Sequence, residues 1–483
     1  MISSFLKKYK NLPVSAKAGF WFVICSCVQS GIKFIASPIF ANMMTVEQYG
    51  LVTVFTSWFS IIYIFATLSF GSSNGVFYVA MVKYPKDRDG FTSSLQGLLC
   101  LNCVLCFVFI GISVAIFGDW MGIGMSQYSV MCIELIGYGF MLIWSLRMRY
   151  ENKYISLLLI TLAYSVGTVL APIIALLFCN LEQEQAIIKN TSAGIMAFVV
   201  GLIAFLMSIS RNKKIFNKEY WKFALSFNIP LIPHYLSNVI LVQSDRIMIA
   251  NMVGEAAAAI YSVAYNLGVT AQVITQALVN AINPWMYKKI EKGEEADVKK
   301  TIVPLVAIVG MLILGVLLIM PEVFNLLFPS TYMEALNVIP PVASGVMWAF
   351  IYNIYASVEL YYMGNRTVSI ASMTGALLNL ILNFICIPIF GYMAAAYTTL
   401  ICDMVYAFMH SFFATRQIKK KAVYKNILPN SLILGIGGCV TALALIIMFL
   451  YPYIIARYLI VVVLIAVVLI KRDYIMKAIK FKH

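Results

Sequence analysis

The run SFNIPLIPHYLSNVILVQSDRIMIANM, Ser226 to Met252, is long and apolar enough to cross a bilayer, yet it carries two prolines, a histidine, an aspartate and an arginine. An ionisable side chain at mid-membrane costs about 2.5–3.5 kcal/mol on insertion scales, so such residues face a bundle interior or a wet cavity and mark a pathway. On a helix, His234, Asn238, Leu241 and Asp245 follow one another at steps of four, three and four and form one stripe. Pro230 and Pro233 remove two amide donors, which a span tolerates only where neighbouring helices or water take up the freed carbonyls. The stretch reads as the wall of a transport cavity. The plainer reading is a bent helix whose polar groups are satisfied by its neighbours.

Working outward, 62% of the 483 residues are hydrophobic and 11% charged, against about 25% charged in an ordinary soluble domain. That composition is an all-α polytopic membrane protein. The basic start (Lys7, Lys8, Lys10) resembles a signal peptide, but the apolar run from Val14 to Met44 is far longer than a signal core and is expected to remain as the first span. Asking each apolar run for about 20 residues gives fourteen expected spans, among them 14–44, 49–82, 223–250, 256–286, 391–414 and 454–470. The connections are too short for a soluble domain. With both termini in the cytoplasm, all but four of the 35 Lys and Arg fall on the inner side: Lys189 and Arg457 lie outside, and Lys33 and Arg246 within spans. The net charge of +15 is therefore a membrane-face effect and implies no nucleic-acid partner. The Cys100, Cys103, Cys106 spacing sits in an apolar helix with no histidine or acid beside it, so no metal site and no cofactor is expected.

The junction after the first span reads ANMMTVEQYG from Ala41, and that after the seventh reads ANMVGEAAAA from Ala250. A basic loop follows the second span and another the eighth, so the repeat unit is six helices. An even repeat preserves orientation, as for two parallel lobes related by a pseudo-two-fold axis along the membrane normal. The expected domains are 1–218, 219–426, and 427–483 holding an appended helix pair and a basic tail.

The first span places Ser26, Ser30, Lys33 and Ser37 on one stripe. Lys33 lies near mid-depth, too deep to snorkel, and is either paired with an acid for structure or a fixed positive charge for an anionic head group. Arg246 adds a second cation, with Asp245 as a neighbour that complicates its role. The other buried ionisable groups are Glu134, Glu359 and Asp403; Asp403 lies near the midplane and is a candidate proton site, while an ion pair or wet mouth explains Glu134 and Glu359. Softer polar stripes run through Thr53, Ser57, Ser60, Thr67 and Asn74, through Ser262, Asn266, Gln276 and Asn280, and through Ser372, Asn379 and Asn383. Such residues often only join helices; their recurrence in equivalent spans of both halves assigns them to a cavity. No GxxxxGK phosphate loop occurs, and the outer loops are short and poor in carboxylates, so no enzyme is expected.

Fourteen spans as two six-helix halves plus two, with SPIFANMMTVEQYG closing the first span and IPLIPHYLSNVILVQSDRIMIANMVG forming the seventh, resemble the bacterial polysaccharide-unit flippases of the O-antigen and capsule type. These belong to the superfamily that also holds the multidrug/cation antiporters and the lipid II flippase. The resemblance implies a V-shaped bundle of the bacterial cytoplasmic membrane, alternating between inward and outward openings. Its cargo would be an undecaprenyl-pyrophosphate-linked oligosaccharide. Membrane lipids would surround it, and polysaccharide polymerase and chain-length proteins would be its partners. It further implies that cavity cations hold the pyrophosphate, by position Lys33 and Arg246 with Ser30 and Ser37, and that an ion gradient drives return, with Asp403, Asp245, Glu359 and Glu134 as coupling candidates. A drug or organic-cation antiporter of the same fold and a non-transporting envelope scaffold are the alternatives.

Overall fold

The computed structural model describes residues 13–70, 76–179, 181–362, 365–421 and 427–470. Asn74 lies outside them, as do the basic first residues and the basic tail. Every regular element among the described residues is helical. In a bilayer this follows from backbone chemistry, because a helix satisfies its own N–H and C=O groups where no water reaches them.

The chain divides into two compact units, Met1–Val239 and Ile240–His483. The first holds α1 (Val14–Met43), α2 (Val46–Thr67), α3 (Val76–Lys83), α4 (Arg88–Phe117), α5 (Gly124–Tyr150), α6 (Tyr154–Leu177), α7 (Gln185–Ile209) and the amphipathic α8 (Lys218–Asn228). α9 (Ile232–Met252) begins in the first unit and ends in the second. α8 is fastened to the first unit: Tyr220 donates to Asp87 at 2.8 Å and Trp221 Nε1 to the Ser94 carbonyl at 2.8 Å. Between α8 and α9 the chain bends by 55°, at the segment holding Pro230 and Pro233. The second unit continues with α10 (Glu255–Gly268), α11 (Gln272–Glu291), α12 (Glu295–Leu327), α13 (Ile339–Tyr361), α14 (Asn365–Phe390), α15 (Met393–Lys421), α16 (Asn430–Leu450) and α17 (Ile454–Ile470).

Small residues set a close crossing in the first unit. A Cβ added to Gly201 on α7 would lie 2.0 Å from the Gly137 carbonyl oxygen on α5, so these backbones touch as only glycine permits. In the second unit, α13 packs against α15 and α16, and α12 against α16 and α17, so α16 and α17 are part of this unit.

Eleven helices of the described residues are long and apolar enough to cross a membrane, and twelve if the bent α8–α9 pair counts as one span. The expected fourteen is not reached on that measure. α15 and α17 occupy the remaining expected positions, but α15 carries Thr398, Thr399, Asp403 and His410 through its middle, and α17 has 17 residues. The expected span 49–82 is also broken: α2 ends at Thr67 and is followed by Leu68 and Ser69, both with positive φ (47° and 53°), before α3 begins. The junctions marked by the repeat do correspond. α1 ends at Met43 and α2 starts at Val46, capped by the Thr45 side chain; α9 ends at Met252 and α10 starts at Glu255, after Gly254 at φ 133°.

Candidate functional site

In the first unit, α1 packs its Cys25 face on α6, where the thiol meets Thr161 Oγ1 at 3.0 Å. An adjoining stripe carries Ser26, Ser30 and Lys33, and all three are exposed. Ser26 closes on its own helix through the Phe22 carbonyl, and Ser37 meets the Tyr49 hydroxyl of α2 at 3.0 Å. Lys33 has no ion pair or hydrogen bond among the described residues. It lies ten residues, roughly 15 Å, from the end of α1. Pairing with an acid, the structural alternative for this lysine, is not seen there.

The second unit concentrates its polarity around the end of α9. Asp245 is fully buried and accepts three hydrogen bonds, from Tyr261 of α10 (2.7 Å), Asn383 of α14 (2.6 Å) and Thr399 of α15 (2.9 Å). Asn379 extends the cluster by donating to Thr399 at 3.1 Å and accepting from Ser244 at 3.3 Å, and Thr398 donates to Asn383. Each carboxylate oxygen therefore meets a donor, which is the arrangement that tolerates a buried charge. Arg246, one residue on, is also buried. Its Nε donates to Ser262 at 3.0 Å, its Nη1 to the Val242 carbonyl at 2.6 Å, and its guanidinium lies 4.5 Å from the Tyr265 ring centroid.

Asp403 is placed differently. It lines a cavity of about 70 Å³ with Leu241, Val242, Tyr265, Tyr352 and Thr399, a volume that holds a few waters. A Cβ added to Gly345 of α13 would lie 2.7 Å from Asp403 Oδ2, so the glycine makes room for the carboxylate. No hydrogen bond reaches this carboxylate among the described residues. The two aspartates thus have opposite surroundings, one saturated with donors and one facing space.

The family model described as polysaccharide biosynthesis protein matches residues 15–290. The chain belongs to that family. Among solved structures, the lipid II flippase MurJ in an inward closed conformation aligns with a TM-score of 0.67 at 15% identity, over 94% of this chain and 99% of that one. An inward-facing multidrug resistance MATE family transporter of the MOP superfamily aligns at 0.57 and 14% identity, over 81% of this chain and 96% of its own. An outward-facing structure of such a transporter aligns at 0.55 and 13%, over 84% and 96%. At these identities the likeness is one of fold. Among curated proteins none matches the sequence.

The matched family segment holds α1 with Lys33 and all of α9. The other expected site residues of this polysaccharide biosynthesis family member divide by environment. Asn238, Asn266 and Asn280 are exposed, the last accepting from Gln276 at 3.3 Å, while the side chain of His234 and all of Asn74 lie outside the described residues. Thr53, Ser57 and Thr67 on α2 are buried, and each donates to the carbonyl four residues back on its own helix. Glu359 is fully buried, with His410 Nδ1 at 2.6 Å and Thr367 donating at 2.7 Å. His410 is the residue that sequence reading passed over. Its signal was present, since Asp403, Tyr406 and His410 follow at steps of three and four on one face of α15. Glu134 is half-buried and makes no hydrogen bond or ion pair among the described residues. The cysteine triplet is only partly buried, with Cys103 inside and Cys100 and Cys106 intermediate. Among the described residues no group of three or more His, Cys, Asp or Glu is placed to hold a metal ion.

Proposed function

We propose that this protein is a flippase of the bacterial cytoplasmic membrane that moves undecaprenyl-pyrophosphate-linked oligosaccharide units outward by alternating access, for O-antigen, capsule or exopolysaccharide assembly. The observation that carries this reading is Lys33: a cation well inside a membrane helix, exposed and without an ion pair or hydrogen bond among the described residues, on a stripe that also presents the Ser30 hydroxyl. A pyrophosphate carrying about two or more negative charges faces a Born cost of many kcal/mol in low dielectric, and a fixed cation at depth offsets it. Membership of a polysaccharide biosynthesis family and a fold shared with a structure named as a lipid II flippase support the same substrate class. The protein would work with glycosyltransferases supplying its cargo and with polymerase and chain-length proteins consuming it, its basic loops and both termini lying in the cytoplasm.

Return to the loading state needs a coupling group, and Asp403 is assigned that role. It takes and releases a proton without breaking a hydrogen bond, whereas Asp245 is committed to three donors. One observation favours a second reading, organic-cation antiport: Asp403 shares its cavity with the rings of Tyr265 and Tyr352, and carboxylates beside aromatic faces attract cations. Reconstitution separates the two. In proteoliposomes loaded with lipid-linked oligosaccharide from the source cells, the flippase makes the glycan accessible to an externally added glycan-modifying enzyme, and ethidium does not compete. Ethidium transport without glycan exposure would replace the proposal with the antiporter reading.

A further inference from the structure

Phe59 and Tyr63 of α2, Tyr138 of α5 and Tyr164 of α6 form a group of half-buried rings within the first unit. Tyr138 is its hub, with ring centroids 5.5 Å from Tyr63, 5.6 Å from Tyr164 and 6.3 Å from Phe59. One helical turn from Tyr138, Glu134 lies on the same side of α5, and Lys189 on α7 makes no ion pair with it. Lys189 donates to Asn190 at 3.3 Å and lies over the Phe40 ring. Neither the Tyr138 hydroxyl, the Tyr164 hydroxyl nor the Glu134 carboxylate has a hydrogen-bond partner among the described residues.

Partnerless hydroxyls and a carboxylate at this depth are costly against acyl chains, which offer them nothing. They are tolerated where water or a polar ligand covers them. We infer that the rings of Phe59, Tyr63, Tyr138 and Tyr164, with Glu134 and Lys189 at their edge, form a saccharide subsite. A pyranose presents an apolar C–H face and an edge of hydroxyls that both donate and accept. The rings supply flat apolar platforms for the face. For the edge, the carboxylate accepts, the ammonium donates and the tyrosine hydroxyls do both. Glu134 and Lys189 oppose each other in charge, so the site suits a neutral, hydroxyl-rich ligand over an organic cation. This inference rests on the flippase reading and adds to it where the glycan, as distinct from the pyrophosphate, is held.

The test is equilibrium binding to purified full-length protein with two probes, bare undecaprenyl pyrophosphate and the lipid-linked oligosaccharide extracted from the source cells. Wild type binds the glycosylated carrier more tightly. Tyr138→Leu lowers that preference about tenfold, the loss expected for one aromatic platform, and leaves binding of the bare carrier unchanged. Tyr138→Phe, which keeps the ring, retains most of the preference and guards against a folding defect, as does an unchanged melting temperature. A Tyr138→Leu/Tyr164→Leu double variant that folds and keeps the full preference overturns the subsite, as does tetraphenylphosphonium binding that depends on Glu134. Equal wild-type affinity for both probes also overturns it while leaving the flippase reading intact, and wild type that binds neither probe removes the flippase reading itself.

Discussion

Replacing Lys33 separates function from architecture, because its surroundings fix what each outcome means. The side chain is exposed and has no acid or hydrogen-bond acceptor among the described residues, so Lys33→Ala orphans no partner. Stability should change by no more than about 0.5 kcal/mol, the range of exposed positions. The functional cost follows from one lost charge-assisted contact to a phosphate oxygen, worth about 1.5–3 kcal/mol, which is roughly a ten- to 150-fold loss of affinity. Lys33→Arg retains charge with different donor geometry and recovers part of the activity. Lys33→Glu sets a carboxylate where the pyrophosphate must pass and is the most damaging of the three. The assay is surface polysaccharide in cells whose own copy is replaced by each variant, with membrane abundance measured alongside and glycan exposure in proteoliposomes as the direct readout. Lys33→Ala at wild-type abundance with wild-type flux refutes the reasoning and moves pyrophosphate binding to Arg246 or to hydroxyls. Reduced abundance instead points to a structural partner for Lys33.

Three further outcomes follow from specific contacts. Asp403→Asn should leave abundance unchanged, since no hydrogen bond is lost, yet slow turnover tenfold or more and flatten its pH dependence; wild-type flux would retire Asp403 as the coupling group. Arg457→Ala should lower the melting temperature: the guanidinium is 3% exposed, pairs both nitrogens with Glu322 (2.8 and 2.6 Å) and donates to the Leu318 carbonyl, tying α17 to α12. With Glu322 about a third exposed, the expected loss is about 1–3 kcal/mol, and an unchanged melting curve would show the pair to be dispensable. At the end of α5, burial pushes the Glu151 carboxyl up, but the Lys153 hydrogen bond and the charges of Arg147, Lys153 and Arg211 outweigh it and hold it below the usual carboxylate range. Its stabilisation is therefore full above a pH of about 4.3, the ordinary glutamate value, and is lost as pH falls through the lower folded value. Thermal melts between mildly acidic and strongly acidic buffer should show that loss in wild type and a smaller one in Glu151→Gln.

What the sequence made legible was whatever depends on one helix at a time. Length and apolarity give the helices, and the 41–50 and 250–259 similarity marks two matching helix junctions. What it left hidden depends on which helix faces which. Thr53, Ser57 and Thr67 were read as cavity lining from the recurrence of polar stripes in equivalent spans, and the structure adds that each donates to its own backbone. Arg246 and Lys33 looked alike as cations within spans, and only the fold separates a guanidinium held by Ser262 and Val242 from an exposed ammonium.

The same distinction governs the acids. Depth along a helix marked Asp403 as the proton candidate and left Asp245 as a charged neighbour of Arg246, and depth is all that spacing supplies. The discriminating quantity is the number of donors each carboxylate meets, and those donors come from α10, α14 and α15, more than a hundred residues away for Asn383 and Thr399. A carboxylate with three donors loses hydrogen bonds when it takes up a proton; one that faces a small cavity loses none. The proposed coupling residue must change charge in each cycle without unfastening the helices around it, and of Asp245, Glu359 and Asp403 the first two hold hydrogen bonds between helices while Asp403 holds none among the described residues. Asp245→Ala should accordingly give the opposite signature to Asp403→Asn. It strips the acceptor from Tyr261, Asn383 and Thr399 in a fully buried site, at a cost of about 1–3 kcal/mol for each donor left unsatisfied, and so lowers abundance. Normal abundance of Asp245→Ala with abolished transport would reverse the two assignments.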